Sequence, residues 1–493
     1  MVSFLDMRRD PQAVMSGVGM LVLLTAVAFA VLDDVYVAGV ELLAYFFVEV
    51  LFYLLECYRY LKICSSPNVP ADARRMRRAM DEFLGLAETL DLEEFLEGWF
   101  MHTVKAADIK RDNMVEFIAY GFYSKRVDAL TDEERREISE FMDRVARTFQ
   151  VNEFAPGYNA DAKFMGHTLE PIRTFHKPII IYLFMELIGL ANLIVLRCFG
   201  FRRLPAGSRG SRRNMSMFIR KGKDETKEPL VFIHGVGFGA LPYVHFLSKV
   251  LAKTDRPCIV VEMRHVSMRF SLDHRSVSLE TLANDIVDQM QATGYQRGFF
   301  LSHSYGTFVV SKLLQLRPEA VDRVCLIDPV CCMTCYPKLT HNFVYRTCTS
   351  SHGRSHALTL SLALRASLVR SLARSPGSYQ GNPLASRKRF MDFVQLLFSR
   401  DLTIADTFCR HLNGMDVNVF AHDFPTSTTT TQKHLLVLSG QDPLVPAALV
   451  AKQFKDVDHV DVLYNDKHSH GDFLFDDKYL AYLVVEICSR LDS

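Results

Sequence analysis

A buried strand that ends in a serine at a tight turn constrains this chain more than any other feature. The apolar residues 298–300 lead into Leu301-Ser302-His303-Ser304-Tyr305-Gly306, and a helix is predicted from about Thr307. A serine at such a strand-to-helix turn is presented for nucleophilic attack, and the crowded backbone requires small neighbours. The usual pattern is Gly-x-Ser-x-Gly, and Ser302 replaces its first glycine. An ordinary junction with an incidental serine is the alternative interpretation of this motif alone.

An earlier apolar strand runs into a glycine-rich loop. Residues 229–233 are followed by a His-Gly-Val-Gly sequence. Acyl transfer needs backbone N–H groups aimed at the developing oxyanion, one after the nucleophile and one from such a loop. We therefore predict the N–H groups of Val236 and Tyr305 as donors, within an oxyanion loop that includes His234, Gly235 and Gly237. A phosphate-binding loop is the alternative, but the lysine and serine or threonine of a P-loop are missing.

Two later loops supply the remaining members of a catalytic triad. One apolar strand begins at His434 and ends before Asp442, and another begins at His459 and precedes His470. The chain order Ser304, Asp442, His470 differs from the orders found in trypsin-like and subtilisin-like enzymes. Each of the three follows a predicted strand, and sites on open α/β sheets form at that edge. The sequence therefore predicts Ser304, Asp442 and His470 as the catalytic residues.

Each of these assignments has a competitor nearby. His468 is an alternative base, two residues from His470. Asp328 also ends an apolar strand and is an alternative acid, although a turn or helix cap beside Pro329 would explain it equally well. His303 lies inside the elbow, where packing is its simplest role. We expect His234 to order its loop by hydrogen bonding.

From about Glu228 onward, the chain resembles the α/β-hydrolase superfamily. The resemblance is carried by the Leu-Ser-His-Ser-Tyr-Gly elbow, the His-Gly loop, the Gly-Gln-Asp-Pro loop and a late His-Gly-Asp-Phe segment similar to that of acid-lipase-like members. It implies a mostly parallel α/β sheet and a serine hydrolase of esters, thioesters or amides. Ser304 would attack the carbonyl carbon, His470 would take and return the proton, and Asp442 would fix the imidazole. No metal or organic cofactor is expected.

Apolar segments in the N-terminal half predict a membrane anchor. Residues 14–32 are uncharged and long enough for a transmembrane helix. Residues 35–61 carry Glu41, Glu49 and Glu56 near one helical face, so a second span and an interfacial helix both remain open. Residues 178–196 form a third apolar run, followed by many arginines. Since positive flanks stay cytoplasmic, we expect an integral membrane protein whose catalytic domain faces the cytosol, in an organelle that is not predicted.

These segments predict the following domains: a membrane anchor of one or two transmembrane helices at 1–62, a helical accessory domain at 63–177, a third hydrophobic segment at 178–200, a basic linker at 201–227, and an α/β-hydrolase domain at 228–493. The interval from Asp328 to His434 is far longer than an ordinary connection. It predicts a helical cap at about 331–430, with apolar stretches at 358–372 and 390–398 that form an acyl-chain pocket or face the membrane.

The composition limits the kinds of partner that the chain is expected to bind. The net charge is +1, which gives no general attraction to nucleic acid. Cys331, Cys332 and Cys335 are expected to be free thiols because no second ligand pair follows them. We therefore expect a membrane-anchored serine hydrolase of lipid-like carboxylic esters that contacts membrane lipids, with no protein partner predicted. An acyltransferase or protein depalmitoylase with the same triad, and a catalytically silent membrane scaffold, are the alternatives.

Overall fold

The computed structural model describes residues 36–64, 73–205, 214–271, 276–346, 394–426 and 433–491. The predicted span at 14–32 and the apolar stretch at 358–372 lie outside the described residues, as does the beginning of the stretch at 390–398. The cap predicted at 331–430 is therefore described in two parts, residues 331–346 and 394–426.

Helices make up the first part of the described chain. They are α1 (Tyr36–Cys64), α2 (Ala73–Leu84), α3 (Leu92–Trp99), α4 (Arg111–Tyr123), α5 (Asp132–Thr148) and α6 (Ile179–Cys198). Helix α5 begins with a capping box, in which the Thr131 hydroxyl accepts from the Glu134 N–H at 3.2 Å and Glu134 accepts from the Thr131 N–H at 2.9 Å. These bonds satisfy two donors that the first turn of a helix leaves unpaired.

The described strands form one mixed sheet in the order β1-β2-β4-β3-β5-β6-β7-β8. They are β1 (Arg202–Arg203), β2 (Met215–Arg220), β3 (Leu230–Ile233), β4 (Cys258–Met263), β5 (Gly298–His303), β6 (Val321–Ile327), β7 (His434–Ser439) and β8 (Val460–Asn465). Strands β1 and β2 are antiparallel to their neighbours, and the others are parallel. Buried parallel strands need helices on both faces of the sheet, which explains their nearly continuous apolar sequences.

The helices that follow the sheet strands cover both faces. They are α7 (Val244–Leu251), α8 (Leu279–Ala292), α9 (Gly306–Leu316), α10 (Leu402–Arg410), α11 (Ala447–Gln453) and α12 (Asp477–Leu491). Alternate residues of β3 enter two separate cores: Val231 and Ile233 join the larger core, and Leu230 and Phe232 join the smaller one. The larger core also contains the apolar faces of α2 to α5, so these helices pack on the hydrolase-like region.

The sheet begins earlier in the chain than the sequence analysis indicated. Strands β1 and β2 lie within residues 201–227, the stretch predicted as a basic linker, and β2 pairs with β4 along its whole length. Met215, Met217 and Ile219 are buried in this strand. The stretch contains many arginines and lysines, which predict a linker. Its short apolar alternation is too weak a signal among these charges to indicate a strand.

Helix α6 has one protein-facing side and one exposed apolar side. By length and composition it is the helix, among those described, that could cross a membrane. Tyr182, Met185, Asn192 and Leu196 are buried, and their spacings of three, seven and four residues place them on one side of the helix. Gly189 falls on this same side, where the Arg269 side chain lies against the helix so closely that a Cβ atom would overlap it. The opposite side exposes a row of large apolar residues: Ile180, Leu183, Phe184, Leu187, Leu190 and Ile194.

Polar contacts fix the inner side of α6 to the rest of the protein. The Tyr182 hydroxyl donates to Asp401 at 2.8 Å. Asn192 Nδ2 donates to Glu262 Oε2 at 2.7 Å. Glu186 accepts from Arg264 at 3.0 Å and from Arg269 at 2.6 Å. Helix α6 is therefore docked on the sheet region along one side.

Helix α1 is held in a similar way through Glu49 and through Arg59, which donates to Thr403 Oγ1 at 2.8 Å. Glu49 accepts from the backbone N–H of Ile179 at 2.9 Å and lies 2.8 Å from His176 Nε2. Glu56 forms a buried ion pair with Arg59. Glu41, the third member of the predicted polar stripe, is exposed. The stripe therefore faces the protein at Glu49 and Glu56.

Candidate active site

The elbow at Ser304 has the geometry that its sequence predicts. Strand β5 ends at His303, α9 begins at Gly306, and Ser304 between them has a φ of 52°, in the left-handed region. Such a conformation costs about 1–3 kcal/mol for a residue other than glycine and is found where surrounding structure enforces it. Here the Ser304 N–H donates to Ile327 O at 3.1 Å, and its carbonyl accepts from the Thr307 N–H at 2.8 Å.

Close packing explains the two small neighbours of the elbow. A Cβ atom at Gly306 would lie 2.4 Å from the Ile233 carbonyl oxygen of β3, so any side chain there would overlap backbone. Ser302, which replaces the usual first glycine, is fully buried, and its hydroxyl has no partner among the described residues. A buried unpaired hydroxyl is unfavourable but compatible with folding. The structure therefore tolerates serine at this position without a compensating bond.

The structure brings Ser304, His470 and Asp442 together. Ser304 Oγ lies 2.8 Å from His470 Nε2, and His470 Nδ1 lies 2.6 Å from Asp442 Oδ2. The second carboxylate oxygen of Asp442 accepts from the N–H groups of Leu444 at 2.7 Å and Val445 at 3.0 Å. This arrangement suits a hydroxyl that donates to Nε2 while Nδ1–H donates to the acid, the relationship required for nucleophile, base and orienting carboxylate.

His468, the alternative base, points elsewhere. Its Nε2 lies 3.2 Å from Asp476 Oδ2, and its carbonyl accepts from the Gln441 N–H at 2.9 Å. His468 therefore bonds to the acid loop and to the start of α12. Of the two histidines, the structure places His470 at Ser304.

Asp328, the alternative acid, is hydrogen-bonded to the loop that carries His470. Its Oδ2 accepts from the Gly471 N–H at 2.7 Å and lies 3.5 Å from His303 Nε2. Gly471 has a φ of 76°, which glycine adopts without strain. Despite its burial, Asp328 has a lowered pKa because His303, His470 and the Gly471 N–H all favour its charged form. Asp328 is thus a second buried carboxylate within reach of His470, although the ring Nδ1–H donates its hydrogen bond to Asp442.

Hydrogen bonds from the side chain of His234 shape the glycine loop. His234 Nδ1 donates to the Gly235 carbonyl at 2.6 Å, and its Nε2 accepts from the Met263 N–H at 2.9 Å. Gly235 packs against the nucleophile, since a Cβ atom there would lie 2.8 Å from Ser304 Cβ. The Gly237 N–H donates to Val266 O at 3.0 Å. These contacts bring the loop that carries the Val236 N–H directly beside Ser304, where Tyr305 begins the next helix.

Two residues that the sequence analysis did not single out complete this loop. The Tyr243 hydroxyl accepts from the Gly235 N–H at 3.3 Å and lies 2.7 Å from His303 Nδ1, so His303 does more than pack. Glu262 Oε2 accepts from the Ala240 N–H at 3.1 Å as well as from Asn192. Glu262 could have been found in the sequence, because it is a lone carboxylate near the end of the apolar strand β4. No feature of the sequence distinguishes Tyr243 in this way.

The surroundings of His470 favour its protonated form. Burial disfavours the charge, but the adjacent Asp442 carboxylate outweighs that effect, with help from Asp328 and Asp472, and raises the pKa of His470 to about 9. Only the neutral imidazole can take a proton from the Ser304 hydroxyl, so this transfer should become more frequent as the pH rises towards the pKa of His470.

A cation site can also be considered at this position. Among the described residues, Asp328, Asp442 and His470 offer ligand atoms that lie within 4.8 Å of one another. Both ring nitrogens of His470 already have partners in Asp442 and Ser304. The geometry therefore favours proton transfer over metal binding.

Cys331, Cys332 and Cys335 are buried free thiols.

Comparison with known proteins gives matches to hydrolases. A family model described as "Alpha/beta hydrolase family" matches residues 230–481. Esterase YbfF of Escherichia coli (strain K12) is 30% identical over 100 residues, which are 20% of this chain and 38% of the esterase. The chain thus spans well under half of that relative's length.

Solved structures also align with the chain. MGS-M2, an alpha/beta hydrolase enzyme from a Medee basin deep-sea metagenome library, is 15% identical with a TM-score of 0.39, over 57% of this chain and 95% of that one. A membrane phospholipase A described as a bacterial virulence factor is 13% identical with a TM-score of 0.37, over 63% of this chain and 94% of that one.

Proposed function

Because this chain belongs to the alpha/beta hydrolase family, we propose that it is a serine hydrolase that cleaves lipid-like carboxylic esters at a membrane surface. The observation that carries the proposal is the hydrogen-bonded series Ser304, His470, Asp442, with distances of 2.8 and 2.6 Å. The similarity of a part of the chain to an esterase supports the same reaction class.

The proposed reaction follows from the positions of these groups. His470 removes the proton from Ser304 as Oγ attacks the carbonyl carbon, and Asp442 stabilises the imidazolium that forms. The backbone N–H groups of Val236 and Tyr305 stabilise the negative charge on the carbonyl oxygen. His470 then protonates the departing alcohol. Water, activated by the same imidazole, releases the acid from Ser304.

Covalent labelling tests this proposal. A fluorophosphonate reacts with a serine only when a neighbouring base activates it, so membranes that contain the full chain should be labelled. We expect Ser304→Ala and His470→Ala to lose the label and His468→Ala to keep it. A folded wild-type protein without label would favour a catalytically silent scaffold. Label that survives Ser304→Ala would identify a different nucleophile.

We further propose that the exposed sides of α1 and α6 contact the bilayer, with the hydrolase region on the cytosolic side. The inner sides of both helices carry polar contacts to the protein, which lipid could not replace without a large cost. The outer side of α6 is apolar along its length, and Arg197, Arg202 and Arg203 follow it. Such an arrangement suits a helix lying at the interface, with arginines beside anionic headgroups.

Membrane extraction separates this contact from the span predicted at 14–32. The full chain should resist alkaline carbonate, whereas a chain lacking residues 14–32 should be released by carbonate and still float with liposomes at neutral pH. Adding Leu183→Glu, Leu187→Glu and Leu190→Glu to the shortened chain should abolish flotation, because each charge must enter an apolar layer. Flotation that persists in this combined variant would refute the contact through α6.

A further inference from the structure

An apolar cavity lies between the N-terminal helices and the cap segments. Its volume is about 90 Å³, and it is partly open to solvent. One wall consists of residues from α2 to α5, and the other consists of residues 334–344 and 408–415. The wall formed by the helices lies outside residues 230–481, which match the family model. The cavity is therefore a feature that this chain adds to the hydrolase fold.

The two walls are joined by specific contacts. Trp99 Nε1 donates to Cys335 O at 2.8 Å, and the Tyr336 hydroxyl donates to Glu94 at 2.8 Å. Asn413 Nδ2 donates to Ser124 Oγ at 3.1 Å. These bonds cross from the helices to the cap at several points around the cavity. They keep the two walls in a fixed relation, as a preformed ligand site requires.

The lining is suited to an uncharged, flexible, apolar ligand. Aromatic rings and methionines dominate it, including Phe83, Phe95, Trp99, Phe117, Met114 and Met142. None of the described lining residues is Asp, Glu, Lys or Arg. His167 is neutral there, because burial lowers its pKa to about 3, and it is bonded to the Tyr120 hydroxyl at 2.8 Å. Methionine side chains adapt to chains of variable shape, which favours an alkyl chain over a rigid ligand.

The cavity approaches the elbow through Phe408, and none of the described residues that line it belongs to the triad. Phe408 of α10 lines it, and the Phe408 ring centroid lies 5.8 Å from that of Tyr305, the residue after Ser304. Leu339, Thr340 and Val344 line the same end. The segment that carries them also reaches the acid loop, since Asn342 Nδ2 donates to Pro443 O at 2.7 Å. A ligand in the cavity would thus lie next to the segments that hold Ser304 and Asp442.

We propose that this cavity binds the long acyl chain of the ester substrate, so that the N-terminal helices act as part of the substrate-binding site. This inference rests on the proposed function, which supplies the ester bond cleaved at Ser304. Acyl chains are the apolar part of a lipid-like ester, and each methylene that leaves water for an apolar site strengthens binding. The helices therefore determine how long an acyl chain the enzyme accepts.

Gly121 offers a way to fill the cavity without disturbing its walls. It lies in α4 and lines the cavity, and a Cβ atom there would meet no heavy atom within 4 Å. Glycine is unfavourable within a helix, so Gly121→Leu and Gly121→Phe should fold with a Tm at or above that of wild type. Thr148→Phe, on the exposed side of α5, adds the same ring outside the cavity and is the control.

Two readouts test the proposal. The first is the rate ratio for p-nitrophenyl palmitate over p-nitrophenyl butyrate in mixed micelles. The second is the binding of the fluorescent fatty acid cis-parinaric acid to the Ser304→Ala protein, which does not depend on turnover. We expect Gly121→Phe to lower the ratio and to weaken binding by at least about tenfold, since even one methylene changes discrimination by about 10–200-fold. Gly121→Leu should have a smaller effect, and Thr148→Phe should have none.

The outcomes separate this inference from the proposed function. If wild type cleaves both esters and Gly121→Phe changes neither the ratio nor the binding, the cavity does not hold the acyl chain and the hydrolase assignment stands. If cis-parinaric acid binds and Gly121→Phe abolishes the binding, but no ester is cleaved, the ligand site stands and the hydrolase assignment fails.

Discussion

Replacing Ser304 by alanine is expected to reduce the turnover of p-nitrophenyl butyrate by about 10⁶-fold, and His470→Ala should cost about the same. In the proposed mechanism both residues act in one proton transfer across the 2.8 Å contact between Ser304 Oγ and His470 Nε2, so either loss would remove the activated nucleophile. The double variant should therefore be no slower than the single variants. Steady-state kinetics of the three purified proteins measure this directly.

The double variant gives the sharper test. Independent roles for the two residues would make their effects multiply, and the double variant would then be far slower than either single one. Such additivity would contradict the assignment of one catalytic unit. His468→Ala serves as the matched control. His468 is the histidine nearest to His470 in sequence, and its ring is bonded to Asp476 and does not contact Ser304.

Asp442→Asn is expected to lower turnover by about 10⁴-fold and to move the pH profile of the remaining activity. His470 must be neutral to act as the base, and Asp442 raises the pKa of His470 to about 9 against the effect of burial. Wild-type kcat/KM should therefore rise with pH up to about 9. In Asp442→Asn the attraction is lost and burial remains, so the pKa of His470 falls and the rise should occur at lower pH.

Asp328→Asn distinguishes the two carboxylates near His470. Asp328 bonds to the Gly471 N–H rather than to the ring, so its replacement should leave the tautomer of His470 unchanged and cost about tenfold or less. A smaller shift of the pH profile, in the same direction, is expected because Asp328 also raises the pKa of His470. A larger loss in Asp328→Asn than in Asp442→Asn would mean that the acid has been wrongly assigned.

The fold of the C-terminal half could be predicted because its signals are local. Each buried strand ends at a loop with a distinctive residue, and parallel strands bring such loops to one edge of the sheet. The order Ser304, Asp442, His470 therefore indicated which residues would meet. The choice between His468 and His470 required the structure, because the sequence does not show in which direction the side chains of two residues in one loop point. The structure places His470, the predicted base, beside Ser304.

Other features could not be predicted because they depend on contacts between distant parts of the chain. Strand β2 was hidden by charged neighbours, and only its pairing with β4 identifies it. The polar side chains on the inner side of α6, Tyr182, Glu186 and Asn192, find partners that are distant in sequence, such as Glu262, which lies seventy residues from Asn192. The cavity likewise requires two walls that are distant in sequence, as the bond from Trp99 to Cys335, 236 residues later, illustrates.

The carboxylate of Glu262 connects helix α6, on the outside of the protein, with the glycine loop beside Ser304. One oxygen atom, Oε2, accepts both from Asn192 of α6 at 2.7 Å and from the Ala240 N–H of the glycine loop at 3.1 Å. Because both bonds end on the same atom, we expect a displacement of α6 to alter the support of the loop beside Ser304. Any such coupling is reciprocal, so a ligand that orders this loop would also stabilise the docked position of α6. If α6 contacts the bilayer as proposed, lipid attachment and the geometry of this loop would be linked through one carboxylate oxygen.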